Sequence, residues 1–110
     1  MIVEKTELAT IFKIEKLSID DFYSDFSKKY ANFKNENIII DFSKLKRVDI
    51  ENILVFLPIV KEWRNNGMSF VIVLNEIETD ILPDEMNVVP TLVEAKDIVE
   101  MENIERDLGF

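Results

Sequence analysis

The chain contains no cysteine and no histidine. Without thiols it has no disulfide framework, no thiolate nucleophile and no sulfur-ligated metal, and its redox compartment cannot be read from cysteine usage. Without imidazole it lacks the commonest general base at neutral pH and the commonest transition-metal ligand. Glycine and proline are scarce, two and three in 110 residues, which argues against disorder. No window approaches the roughly 18 consecutive apolar residues of a membrane span. The start, Met1-Ile2-Val3-Glu4-Lys5, has no basic region followed by a long apolar core, so no signal peptide is expected and the cytoplasm is the default location. Basic residues are outnumbered 13 to 22, a net charge of −9. That balance argues against nucleic acid and anionic lipid as partners, although plain solubility explains it equally well.

What is present fits one globular domain spanning residues 1–110, with 47% hydrophobic residues and a mean hydropathy of +0.02. Ile2-Val3 starts a short strand. A turn at Lys5-Thr6-Glu7 leads to a second strand over Leu8–Ile14, making a hairpin or bent edge ribbon. Ser18, with Asp21 three residues on, opens a helix carrying Ile19, Phe22, Tyr23, Phe26, Tyr30 and Phe33 at helical spacing. Because these aromatics share one face, they read as core rather than as a base-stacking surface.

Asn37–Phe42 is a continuous apolar run, as expected of a strand covered on both faces. Asp49 is a plausible helix N-cap, its carboxylate accepting the amide of Glu51 or Asn52. The following apolar face (Ile53, Leu54, Phe56, Leu57, Val60, Trp63) contains Pro58, which predicts a kink over residues 54–58; a strand at Ile53–Phe56 with a helix from Pro58 is the alternative. Asn66 or Gly67 supplies a left-handed cap, and Phe70–Leu74 is a second buried strand. After an acidic irregular stretch, Met86–Val89 forms a last strand. Thr91 and Glu94 make a capping box for a final helix burying Leu92, Ala95, Val99 and Ile98 and running to about Arg106.

The order strand, strand, helix, strand, helix, strand, short segment, strand, helix resembles the STAS domain, the fold of anti-sigma factor antagonists, over nearly the whole chain. Ile38-Ile39-Ile40-Asp41-Phe42-Ser43 resembles the family's apolar strand ending in Asp-Leu-Ser, and Val48-Asp49 the start of its switch turn. Asn66-Gly67 and Pro90-Thr91-Leu92-Val93-Glu94-Ala95 also resemble their family counterparts. The resemblance implies an α/β, SpoIIAA-like mixed sheet of about four to five strands with helices packed on one face.

In that family the turn reads Asp-Ser-Ser-Gly, and its second serine is phosphorylated by the anti-sigma kinase. Here Asp49 matches the Asp, Ile50 and Glu51 stand for the serines, and Asn52 for the Gly. The turn Asp49, Ile50, Glu51, Asn52 is therefore a candidate partner contact with no hydroxyl to phosphorylate. Glu51 either mimics the phosphorylated state or is only a helix-opening carboxylate; the second reading is favoured because Ile50 and Asn52 have departed as well. Asn75–Asn87 is short for the family's third helix. Leu108 and Phe110, apolar at the acidic end of the chain, are either tucked onto the body or used on a partner.

The leading expectation is a non-catalytic interaction or regulatory module with a protein partner, either an anti-sigma factor-like kinase or an enzyme it accompanies. No cofactor, metal, nucleic acid or membrane is expected, and the chain is expected as a monomer or weak homodimer. The alternative is a small-molecule or nucleotide-binding domain. It would use the amides after Asp49 and the cluster Lys44, Lys46, Arg47, although Asp49 and Glu51 repel phosphate there. Catalytic carboxylates would have to come from Asp80, Asp84 and Glu85 or from Asp20 and Asp21, which loop solvation and helix capping explain more simply.

Overall fold

The computed structural model describes residues 1–45, 48–75 and 81–109. Five strands form one sheet in chain order: β1 (Ile2–Lys5), β2 (Thr10–Lys13), β3 (Ile38–Asp41), β4 (Phe70–Val73) and β5 (Asn87–Val89). β1 pairs antiparallel with β2, and every later pair is parallel. The hairpin between β1 and β2 closes at Thr6, whose amide and hydroxyl both donate to the Ala9 carbonyl, at 2.9 and 2.8 Å.

The helices are α1 (Ile19–Lys29, followed by a 3-10 turn at Tyr30–Phe33), α2 (Ile50–Leu54), α3 (Leu57–Asn65) and α4 (Leu92–Asp107). Ser18 caps α1, its Oγ accepting the Asp21 amide at 3.1 Å. The expected kink is a full break between α2 and α3. Pro58 sits in the first turn of α3, where its missing N–H costs nothing, and the chain turns through Val55 and Phe56. The break drives Phe56 into the core among Phe22, Tyr23, Phe26, Phe42 and Phe70, with ring centroids 5.2–6.4 Å apart. α3 ends in a Schellman motif. The Met68 amide reaches the Trp63 carbonyl at 2.9 Å and the Gly67 amide the Arg64 carbonyl at 3.0 Å, with Gly67 at φ +75° and Asn66 at −86°.

Alternate residues of the central strands feed two cores. Ile38, Ile40, Phe70 and Ile72 meet α1, α2 and α3, while Ile39, Val71 and Val73 meet Ala95 and Val99 of α4. This explains the unbroken apolar runs of β3 and β4, and it corrects the expectation of helices on one face, since α4 covers the other. Small side chains at Ala95 and Val99 let α4 approach the sheet closely. Leu82 and Met86, in the segment leading to β5, are buried in the α1–α3 core. Between β4 and β5, residues 76–80 lie outside the described residues, and Ile81, directly after them, is in a 3-10 turn.

Candidate functional site

α1, α2 and α4 all begin at the carboxyl end of the sheet, where parallel strands hand over to helices and where ligands of open α/β sheets collect. Asp49 is the N-cap of α2, in extended backbone, and forms a reciprocal box with Asn52. Asn52 Oδ1 accepts the Asp49 amide at 3.2 Å. The return half, from the Asn52 amide to the Asp49 carboxylate, is the weaker, since that amide's close partner is the Asp49 carbonyl at 3.0 Å. Asn52 Nδ2 also donates to Asp20 Oδ1 at 3.4 Å, which stitches the start of α2 to the start of α1.

Ile50 is half-buried and packs on the core, whereas Asp49 and Glu51 are exposed. Nearby, the Asp41 carboxylate accepts the Ser43 amide at 2.9 Å and the Asn75 side chain donates to the Ser43 carbonyl at 3.2 Å. The turn is therefore a fixed, acidic corner that presents Glu51, and three of its four positions, Asp49, Ile50 and Asn52, serve the fold. Lys46 and Arg47 of the basic cluster, and Asp80 of the candidate carboxylates, lie outside the described residues. Asp20, Asp21 and Asp84 are exposed, and among the described residues no group of three or more acidic side chains is placed to hold a metal ion.

The opposite, amino end of the sheet carries a polar network that the sequence did not announce. Asn37, just before β3, accepts the Ser69 amide at 2.9 Å on Oδ1 and donates from Nδ2 to the Leu8 carbonyl and to Asn103 Oδ1 at 3.1 and 3.2 Å. The Arg106 guanidinium donates to Asn103, to Ser69 Oγ at 3.1 Å and to Asn37 at 3.4 Å. Ser69 Oγ donates to Glu102, whose other oxygen accepts from Asn87 at 3.3 Å. Ser69 and Asn37 are buried, and no buried side-chain polar atom among the described residues lacks a partner. Beside the network lies an open cleft of about 280 Å³ lined by Arg64, Glu85, Asn87, Glu102, Glu105 and Arg106. Because its bonds tie Asn103, Glu102 and Arg106 of α4 to Asn37, Ser69 and Asn87 at the amino end of the sheet, the network reads as the lock that holds the end of α4 on the sheet. Toward the same end, where Tyr30 packs on Trp63 with ring centroids 5.7 Å apart, the Glu62 carboxylate raises the ionisation of the Tyr30 phenol above its usual range, with burial a smaller cause.

Leu108 caps the end of α4 and is 67% exposed, so this side chain is not tucked onto the body. Phe110 lies outside the described residues. α4 runs back across the sheet from its carboxyl to its amino end, so Leu108 and the Asp49–Asn52 turn sit at opposite ends of the molecule and do not form one site. Sequence reading missed three further apolar residues on the same side of α4 as Leu108: Val93, Met101 and Ile104, which are 69, 54 and 56% exposed. Their helical spacing was the available signal.

This sheet, with three helices on one face and a closing helix on the other, is a STAS-like fold. The chain is similar to a solved structure described as the molecular architecture of the stressosome, a signal integration and transduction hub. The identity is 20%, the TM-score 0.59, and the match covers 96% of this chain and 99% of the other. No family model matches the sequence, and no curated protein matches it. No helix of the described residues is long and apolar enough to cross a membrane.

Proposed function

We propose that the protein is a non-catalytic, cytoplasmic interaction module that regulates or accompanies a protein partner without a serine phosphoswitch. The observation that carries this reading is a STAS-like fold whose switch position is a capped corner devoid of hydroxyl groups. The similar structure belongs to a signalling assembly, which supports a role in assembly or signalling. Glu51 acts as a helix-opening carboxylate, favoured by roughly 0.3–1 kcal/mol at the positive end of the helix dipole. The use of Asn52 to bind Asp49 and Asp20 supports that structural role over phosphomimicry. Asp49 and Glu51 turn phosphate away from the same amides, which leaves the nucleotide-binding alternative without a cradle here.

The test is the affinity of the isolated partner for Glu51→Ser, measured by calorimetry. The helix-opening role predicts affinity within about twofold of the parent, less than roughly 0.5 kcal/mol. A change of tenfold or more would establish Glu51 as a fixed phosphomimic read by the partner.

A further inference from the structure

α4 is apolar on two opposite sides. Ala95 and Val99 on its inner side are fully buried against the sheet, and Glu102 and Arg106 on the same side are tied into the polar network. Its outer side carries Val93, Met101, Ile104 and Leu108, between 54 and 69% exposed. Met101, Ile104 and Leu108 recur at three- and four-residue steps, the spacing of a helix-packing seam. Scattered exposed apolar side chains are ordinary. A surface helix with one docked stripe normally turns a polar face to water, and a second apolar seam opposite the first departs from that pattern.

The charges around the seam are mostly of one sign. Glu94, Asp97, Glu100, Glu105 and Asp107 are all exposed, and Asp97 lies within the seam one turn before Met101. The helix's two cations offset them only in part: Arg106 is held in the network, and Lys96, half-buried, stands alone on the flank that carries Glu100 and Asp107. A second copy of this chain packed seam to seam would bring these carboxylates against their own kind, and an anionic membrane would be repelled.

We propose that the outer face of α4 is a docking surface for an amphipathic helix of a partner protein, apolar along its seam and flanked by lysine or arginine. The inference rests on the reading of the protein as an interaction module and assigns it a face distinct from the Asp49–Asn52 turn. Apolar residues of the partner helix cover Met101, Ile104 and Leu108, and a cation opposite Asp97 fixes the register.

Two synthetic amphipathic helices test this, identical along a leucine seam and flanked by lysine in one and glutamate in the other. Each is titrated into the full chain by calorimetry at low and at high salt. The lysine-flanked helix is expected to bind at least about tenfold more tightly, and less tightly as salt rises. The double substitution Met101→Ser and Ile104→Ser leaves every charge in place, so a mere attraction of opposite net charges would survive it. On the proposal it weakens binding at least about tenfold with an unchanged melting temperature. Equal binding of the two helices, or binding indifferent to the double substitution, would overturn the proposal. So would a concentration-dependent homodimer, seen by sedimentation, that the double substitution abolishes. Failure here leaves the wider reading standing if the protein still comes from its cells with a distinct partner subunit, through another face.

Discussion

The Arg106 guanidinium donates to side chains on α4, before β3 and before β4, and Ser69 and Asn37 among its acceptors are buried. Removing it leaves those acceptors short of a charged donor, so Arg106→Ala is expected to cost about 1–3 kcal/mol. The measurement is a urea midpoint with unchanged slope. Arg106→Lys should recover only part of the loss, since one ammonium cannot reproduce the planar fork. Residues of this kind were not legible in the sequence, because their partners lie up to 69 positions away. The residues that were legible act within a few positions of themselves: Ser18 on Asp21, Thr91 on Glu94, and Gly67 with its positive φ. At Asp49 the cap was legible in place but not in detail, since Asn52 makes the firmer bond.

At the scale of elements, α4 does two things at once: its inner side closes the second core and its outer side is free. Its ends were readable from Thr91 and the acidic run, but its place on the far face of the sheet was not, because α4 follows the last strand and joins no two strands, so the handedness of crossovers does not fix its side. The continuous apolar run of β3 did carry the information, since a strand buried on both faces requires cover on both. The same scale corrects how the end of the chain should be probed. A truncation of Glu105–Phe110 removes Arg106 and is expected to lower the melting temperature by about 4–8 °C for each kcal/mol of the network lost. A truncation starting at Leu108 spares the network and should shift it by less than about 3 °C, the range of surface changes. Scanning calorimetry of the two chains distinguishes them, and equal losses would mean that residues from Leu108 onward pack on the body.

At the scale of the whole molecule, the fold and the chemistry point the same way. On the function proposed above, the Asp49–Asn52 corner of this STAS-like fold is a capped structural turn rather than a switch, and an exposed apolar seam runs along α4, on the far side of the sheet. The scaffold was legible from the order and length of its elements, while the surface it offers a partner depended on how α4 is rotated, which the fold alone decides. The most direct test is native mass spectrometry of the tagged protein isolated gently from its own cells. The account predicts a mass exceeding the 12.9 kDa of the chain by a distinct protein subunit in a fixed ratio. Recovery of the folded chain only as bare monomer or as multiples of itself would contradict it.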